Sequence, residues 1–262
     1  MNKFVLGDVH GTHKALVQVL ERSGFDYEKD LLVTIGDIVD GYGDTYMAVE
    51  ELLKIKNRID IVGNHDDWFF DFIETGIHPD GWAQGGLSTA ESYAKAANIE
   101  LKVQSKKPTS IRHEKTTHIL NLNPNDIPDT HKEFFRKQNK YYIDEDKNVF
   151  VHGGFMRSLP IGETHKEYMM WDRALFNQAL SAKSSKTKLK FQEEYRRIFI
   201  GHTTTQCWNT TEPMRGDIVW NVDTGAGGGG KLTIMNVDTE EYWQSDNVRD
   251  LYPDDPRTKK FK

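Results

Sequence analysis

At five points along the chain, a short apolar run ends in a glycine-containing turn whose side chains could bind a metal ion. In chain order these side chains are Asp8 and His10, Asp37 and Asp40, Asn64 and His65, His152, and His202. Carboxylate, amide and imidazole ligands together suit Mn, Fe or Zn better than Mg or Ca, and no thiolate belongs to the set. There are enough groups for two ions about 3.5–4 Å apart, the spacing used in the hydrolysis of phosphate esters.

The third of these turns, at residues 63–66, combines two kinds of chemistry. Asn64 offers a carbonyl oxygen to a cation, and His65 can move a proton near neutral pH. The turn follows the apolar run 59–62, which predicts a buried strand. We therefore expect the whole turn to lie in the loop at the end of that strand.

The elements around these turns follow a repeated order of strand, loop and helix, which is typical of an α/β sheet with largely parallel strands. Strands are predicted at residues 4–6, 31–35, 59–62, 148–151, 197–200, 218–222 and 231–235. Helices are predicted at residues 12–23 and 46–55. In such sheets ligands bind beyond the carboxyl ends of the strands, which is where all five turns fall.

The middle of the chain is less regular. Helices are predicted at residues 67–75, 89–97 and 131–137, and we interpret residues 67–148 as a helical insertion in a single domain that spans 1–262. Residues 181–190 are rich in Lys and Ser, which favours an exposed, mobile loop over a basic recognition patch.

Composition excludes several classes of partner. The formal net charge of −6 argues against strong, sequence-independent nucleic-acid binding, which needs basic surface. A single cysteine, Cys207, permits no intramolecular disulfide, and no apolar run approaches the length of a membrane span. We expect a cytoplasmic protein with no membrane partner; the oligomeric state cannot be predicted.

The five turns, taken in order, resemble the motifs of the calcineurin-like metallophosphoesterases, and in particular the bacterial and phage phosphoprotein phosphatases of the serine/threonine type. The matching blocks are Gly7-Asp8-Val9-His10-Gly11, Gly36-Asp37-Ile38-Val39-Asp40, Gly63-Asn64-His65-Asp66, His152-Gly153-Gly154 and Gly201-His202-Thr203. Residues 82–93 and Trp171-Asp172-Arg173 fit the same branch. The resemblance implies a β-sandwich of mixed sheets flanked by helices, within the α/β class.

The resemblance also implies a role for each site residue. One metal ion would be bound by Asp8, His10 and Asp37, and a second by Asp37, Asn64, His152 and His202, with Asp37 bridging the two. Mn²⁺ is the expected metal, with Fe or Zn as alternatives, and a hydroxide held between the ions would attack phosphorus. His65 would protonate the leaving oxygen while Asp40 fixes its ring, Arg173 would bind the phosphate, and Asn64 would also lie beside the substrate.

One position departs from the family pattern. The Arg that usually follows the second Asp of the second block is replaced by Gly41, which removes one phosphate-binding cation. Arg157, shortly after His152, is a candidate substitute. Asp66 stands where many relatives have Glu, a change that leaves the predicted ligand set intact.

Several residues near these motifs are expected to be structural. Trp171 is predicted to pack in the core, and Trp82 and Tyr93 are predicted to form the core of the insertion rather than a platform for a base. Asp223 could either orient a histidine ligand or cap a turn, and the sequence does not separate the two.

Three functions follow from these observations. The first is a metal-dependent phosphatase acting on phosphate monoesters, either phosphoserine or phosphothreonine in proteins or small phosphoesters. The alternative is a dinucleoside polyphosphate hydrolase or phosphodiesterase. The third, suggested only by Gly41, is a phosphate-binding protein with weakened catalysis.

Overall fold

The computed structural model describes residues 1–106 and 117–260 of the chain. In these ranges the strands are β1 (Lys3–Leu6), β2 (Leu31–Thr34), β3 (Asn57–Asp60), β4 (Val103–Lys106), β5 (Thr117–Leu120), β6 (Tyr141–Ile143), β7 (Asn148–Val151), β8 (Arg197–Ile200), β9 (Met214–Gly216), β10 (Val219–Asn221), β11 (Thr233–Asn236) and β12 (Tyr242–Gln244). The α-helices are α1 (His13–Ser23), α2 (Thr45–Leu53), α3 (Asn64–Thr75), α4 (Gly86–Ala96), α5 (Asp129–Arg136), α6 (Lys166–Trp171), α7 (Ala174–Ser184), α8 (Val248–Leu251) and α9 (Pro256–Lys260).

The first sheet has five strands in the order β12-β11-β1-β2-β3. The strands β1, β2 and β3 are parallel and are joined by α1 and α2, so their carboxyl ends share one edge. Strand β11 pairs with β1 in the antiparallel sense, with Val5 opposite Met235. The first three polar turns therefore lie at the same edge of this sheet.

The second sheet has the order β6-β7-β8-β10-β9, in which β7, β8 and β10 are parallel. His152 follows β7 and His202 follows β8 in the chain. The parallel pairing brings these two histidines to neighbouring strand ends, as the sequence predicts.

The two sheets pack face to face around an apolar layer to which both contribute. Val5 and Val33 from the first sheet are fully buried in one cluster with Phe150 and Phe199 from the second. The rings of Phe150 and Phe199 are stacked, with their centroids 5.2 Å apart. The predicted sandwich of mixed sheets in the α/β class is confirmed.

Helices cover the outer faces of both sheets. Helix α1 buries Ala15, Leu16, Val19 and Leu20, whose spacing predicts one apolar face, and it ends at Gly24 in a left-handed conformation. Among the helices in the described part of the chain, none is long and apolar enough to cross a membrane.

The structure corrects some boundaries. Helix α3 begins at Asn64, so Asn64 and His65 lie in its first turn and not in a loop. Residues 181–184, predicted as loop, form the last turn of α7. Short strands such as β9 and β12 carry too few residues to show a period in the sequence and were not predicted.

The predicted insertion at 67–148 contains α3, α4 and α5, but it also contains the antiparallel pair of β4 and β5. Residues 107–116 of this region lie outside the described residues. The interpretation of 67–148 as an insertion in a single domain stays a prediction.

Removing one ring of the stacked pair between the sheets should destabilise the fold strongly. We expect Phe150→Ala to lower the free energy of unfolding by about 3–5 kcal/mol, because it leaves a cavity in a fully buried layer. Phe150→Leu keeps most of the volume and should cost under about 1.5 kcal/mol. Urea unfolding followed by circular dichroism measures both, and equal losses for the two variants would contradict the cavity argument.

Candidate active site

The five polar turns meet where the carboxyl ends of the two sheets face each other. Hydrogen bonds join turns from opposite sheets. The backbone N–H of His202 donates to Asp8 Oδ2 at 3.0 Å, and His152 Nδ1 donates to the carbonyl oxygen of Ile35 at 2.7 Å. The sandwich therefore builds a single site from residues of both halves of the chain.

Asp37 occupies the centre of this site. Its Oδ2 lies 3.3 Å from His152 Nε2 and 3.7 Å from His10 Nε2, and its Oδ1 accepts the backbone N–H of His65 at 3.0 Å. Asp37 is buried, and burial alone would raise the pKa of its carboxyl group. The histidines around it, His152 first among them, hold that pKa well below its usual range.

Two groups of potential ligand atoms share Asp37. His10, Asp37 and His65 form one group, and Asp37, His152 and His202 form the other; within each, the ligand atoms lie within 4.8 Å of one another. Because a carboxylate has two oxygens, one Asp can serve both groups. The first group differs from the predicted ligand set, since it contains His65 where the resemblance implies Asp8.

The tautomers of two histidines are fixed by the backbone. His152 donates through Nδ1 to Ile35, and His10 donates through Nδ1 to the carbonyl oxygen of Asp40 at 2.8 Å. When the rings are neutral, each Nε2 carries a lone pair that is directed at Asp37. Backbone carbonyls that hold the second ring nitrogen in this way are typical of metal-binding histidines.

At His152 the arrangement calls for a positive charge. Its Nε2 faces Asp37 Oδ2 at 3.3 Å and Asn64 Oδ1 at 3.2 Å. In the neutral ring Nε2 is itself an acceptor, so three acceptor atoms converge on one point. Burial would lower the pKa of His152, but the charge of Asp37 raises it overall. A protonated His152 ring is therefore one way to place a positive charge at this point. A metal cation at the same point would satisfy all three atoms at once.

Two further buried atoms support this fit. Asp8 Oδ1 and His202 Nε2 have no hydrogen-bond partner among the residues that the structure describes. Burial, helped by the neighbouring His152, lowers the pKa of His202 to about 3, so its ring is neutral and its lone pair is free to bind a cation. Buried polar atoms without partners are rare, and a cation would pair both of these.

Negative charge is concentrated around the same point. Burial, together with the charges of Asp223 and Asp37, raises the pKa of Asp8 well above its usual value. Burial also raises the pKa of Asp223 and of Asp66 to about 6. Ionising all of these crowded carboxyl groups is costly unless a cation compensates their charge. The charges and the geometry therefore both fit a candidate metal site.

His65 is held by a chain of hydrogen bonds. Its Nδ1 bonds to Asp40 Oδ2 at 2.8 Å, and Asp40 Oδ1 accepts the hydroxyl of Thr89 at 2.8 Å. Burial would lower the pKa of His65, but the charge of Asp37 and the bond to Asp40 raise it overall. The ring is thus oriented, and it keeps a proton to higher pH than a free histidine.

The backbone is strained at four of these residues. His10, Asp37, Asp40 and His202 have φ angles of 50°, 51°, 63° and 64°, in the left-handed region that side chains rarely adopt. At Gly63 the constraint is space, since a Cβ there would stand 2.1 Å from Asp37 Oδ1. Strain of this kind persists where the surrounding structure enforces it, as it does at functional sites.

Asp66 fixes two of the turns to each other, a role the sequence did not suggest. Its Oδ1 accepts the backbone N–H of Ile38 at 2.8 Å, and its Oδ2 accepts that of Gly63 at 3.2 Å and the side-chain amide of Gln138 at 2.9 Å. The side chain is fully buried. Asp66 therefore positions Asp37 and Asn64 without being one of the candidate ligands.

The two predicted phosphate-binding arginines lie in different places. Arg173 Nη1 donates to Thr203 Oγ1 at 2.6 Å and to the carbonyl oxygen of His202 at 3.3 Å, which puts it beside the second group. Arg157 donates to Gln178 and to the carbonyl oxygen of Lys190. In the described parts of the chain, none of its hydrogen bonds is with a candidate ligand, so the structure does not bring Arg157 to the site.

An aromatic rim borders the site. Trp68 contacts His65 with ring centroids 5.0 Å apart, Trp171 contacts His202 at 5.5 Å, and the two tryptophans are 5.6 Å from each other. Trp171 is 44% exposed, so its prediction as core packing is wrong. Trp68 was not predicted, although its position three residues after His65 places both on one face of α3.

The remaining predicted structural residues behave as follows. Trp82 and Tyr93 are buried, which agrees with a core role in the insertion. Asp223 Oδ1 accepts the backbone N–H of Gly225 at 3.0 Å, which caps the turn that follows it. Of the two roles considered for Asp223, the structure shows the turn cap.

Known proteins resemble parts of this chain in sequence. A symmetrical bis(5'-nucleosyl)-tetraphosphatase of Buchnera aphidicola is 37% identical over 67 residues, which are 25% of this chain and 24% of that protein. Serine/threonine-protein phosphatase 2 of Salmonella typhimurium is 29% identical over 129 residues, 48% of this chain and 59% of that protein. The chain thus matches about a quarter of the first relative and less than two thirds of the second.

A solved structure assigned provisionally as a diadenosine tetraphosphatase shares the fold, with a TM-score of 0.62 at 13% identity over 93% of this chain and 92% of that one. The family model of the calcineurin-like phosphoesterases matches residues 1–206, which include every candidate metal ligand. The chain therefore belongs to the calcineurin-like phosphoesterase family, as its motifs predict.

Proposed function

We propose that the protein is a dinuclear, metal-dependent phosphatase that hydrolyses phosphate monoesters. The observation that carries this proposal is the position of Asp37, which is common to both groups of candidate ligands. Two ions bound there would supply Lewis acidity, activating a water molecule for attack on phosphorus and offsetting charge on the phosphoryl oxygens. The substrate would be phosphoserine or phosphothreonine in a protein, or a small phosphate ester.

The ligand sets that we propose follow the chain order of the turns. Asp8, His10 and Asp37 would hold one ion, and Asp37, Asn64, His152 and His202 would hold the other. The oxygen and imidazole ligands favour Mn²⁺, with Fe or Zn as alternatives. The unpartnered atoms of Asp8 and His202 support their places in these two sets.

His65 is the proposed general acid, although its nitrogen also lies near Asp37. Asp40 accepts the Nδ1 proton and so directs Nε2–H into the site, where it can donate to the leaving oxygen. The raised pKa lets the ring keep its proton to higher pH than a free histidine would. Arg173, beside His202, would hold a phosphoryl oxygen through its guanidinium.

A second candidate function is the hydrolysis of dinucleoside polyphosphates. The aromatic rim of Trp68 and Trp171 favours it, because an exposed indole beside a phosphate site can stack on a nucleobase. The name of the Buchnera relative points to the same chemistry. The monoester proposal remains the first, since the rim could equally contact an aromatic side chain of a phosphoprotein.

Asp37→Asn should remove binding at both metal positions. Wild-type protein stripped with a chelator should take up two equivalents of Mn²⁺ in isothermal titration, and the variant should take up neither with comparable affinity, because the shared carboxylate is lost. Asp129→Asn is the matched control, since the Asp129 side chain is 98% exposed. Retention of two equivalents by Asp37→Asn would sink the shared-ligand proposal.

His65→Ala should separate catalysis from metal binding. We expect kcat for p-nitrophenyl phosphate to fall about 10²- to 10⁴-fold, the range for loss of a general acid, with Mn²⁺ uptake unchanged. His165→Ala changes an exposed histidine and serves as control. Equal rates in wild type and His65→Ala would instead favour a phosphate-binding protein, and loss of metal would make His65 a ligand.

A substrate panel distinguishes the two candidate functions. If the protein is a monoester phosphatase, it should turn over p-nitrophenyl phosphate faster than diadenosine tetraphosphate or bis-p-nitrophenyl phosphate. If the tetraphosphate is preferred, Trp171→Ala should raise its KM by about 10-fold through loss of stacking and leave the monoester KM unchanged. Tyr242→Ala, which removes another exposed aromatic side chain, should change neither KM.

A further inference from the structure

Position 41 cannot carry a side chain in this backbone. Gly41 has a φ of 121°, a conformation that L residues rarely adopt. A Cβ there would also stand 2.9 Å from the carbonyl oxygen of His10 and 3.0 Å from the His10 Cβ. A cation next to His10 must therefore come from another part of the chain.

The structure brings Arg257 to this place from the short helix α9. Its Nη1 lies 3.3 Å from the point where a Cβ on Gly41 would stand, and 2.9 Å from the corresponding point on Gly85. The guanidinium thus covers the backbone of two glycines at the edge of the candidate active site. Arg257 lies beyond residues 1–206, the part of the chain that the family model matches.

The charge of Arg257 acts on the residues of the site. Burial is the main reason that the pKa of His10 falls to about 4, and the positive charge of Arg257 contributes. Burial lowers the pKa of Arg257, and the negative charges of Asp40 and Asp255 oppose this effect by stabilising the charged guanidinium. The guanidinium is therefore close enough to interact with both histidine and carboxylate groups of the site.

Within residues 1–106 and 117–260, the Arg257 guanidinium makes no salt bridge and no side-chain hydrogen bond. The Asp40 carboxylate, which attracts it, is already bonded to His65 and Thr89. A half-buried arginine without an ion pair has lost part of its hydration and has gained no direct partner in exchange. An anionic ligand would supply that partner.

There is room for such a ligand beside Arg257. A cavity of about 490 Å³ is lined by Gly41, Ser88 and Arg257, and also by the carboxylate residues Glu91 and Asp255. Gly41 directly follows Asp40, which binds His65. A guanidinium offers two parallel N–H groups in the geometry that phosphoryl oxygens accept.

We propose that Arg257 binds a phosphoryl oxygen of the substrate beside the candidate metal site, from a position that the glycines at 41 and 85 leave open. The proposal rests on the proposed phosphatase function for the identity of the anion. It makes the short helix α9 part of the substrate-binding site, together with Arg173 beside His202.

Binding of inorganic phosphate to the Mn²⁺-loaded protein tests this directly. Arg257→Ala should weaken phosphate affinity in isothermal titration by about 10- to 100-fold, the range for one charged hydrogen-bonding group. Arg257→Lys should lie between, because lysine keeps the charge but not the planar fork. Uptake of Mn²⁺ should not change, since Arg257 is not a ligand.

Lys259→Ala is the matched control, because Lys259 is an exposed cation on the same helix. Its phosphate affinity should equal that of wild type. Arg257→Gln keeps the aliphatic part of the side chain. It takes the place of Arg257→Ala if that variant unfolds at a much lower temperature than the wild type. Guanidinium ion, added at millimolar concentration, should restore part of the p-nitrophenyl phosphate turnover of Arg257→Ala and none of that of His65→Ala.

The two proposals fail in different ways. Wild-type phosphate affinity in both Arg257→Ala and Arg257→Gln would overturn the role of Arg257 and leave the phosphatase function intact. Absence of phosphate-ester turnover in the wild type, with phosphate binding that still depends on Arg257, would overturn the function and leave the binding role standing. If Lys259→Ala weakens phosphate affinity as much as Arg257→Ala does, the effect comes from the net charge of the protein and not from a specific contact. That result would also overturn the role of Arg257.

Discussion

The site depends on one buried carboxylate, that of Asp37, around which all other groups are arranged. It faces His152 and His10 with one oxygen and holds the backbone of His65 with the other. A charge placed this deeply is costly unless cations or donors surround it. The strained turns, the fixed histidine tautomers and the close approach at Gly63 can all be understood as what is needed to bring those groups to Asp37.

Each sheet of the sandwich supplies part of the candidate ligand set. The first sheet supplies the carboxylates, the amide and His10, and the second supplies His152 and His202. The group that contains Asp37, His152 and His202 therefore needs both sheets, and the apolar layer between them sets the distance across the site. Asp66 performs a similar task locally, because its hydrogen bonds hold the second turn against the start of α3. Packing far from the chemistry therefore controls the geometry of the candidate metal centre.

Much of this arrangement could be predicted from the sequence, because short apolar strands followed by glycine and ligand-type residues have a local signature. What could not be predicted depended on distant contacts. Trp171 looks like a core residue by composition, and only the packing of α6 leaves it exposed. Arg157 is close to His152 in sequence, yet its guanidinium is engaged by Gln178. Arg257 has no motif around it and acquires its place solely through the path of the last helix.

The pairing of β1 with β11 has a consequence for how the protein is made. It joins residues 4–6 to residues 234–236 at the centre of the first sheet. During synthesis, β1 therefore leaves the ribosome long before its antiparallel neighbour exists, and the backbone N–H and C=O groups of that edge stay unpaired throughout. Contacts so distant in sequence also slow folding once the chain is released. A chaperone that shields this edge in the nascent chain should raise the yield of folded protein more than one that acts after release.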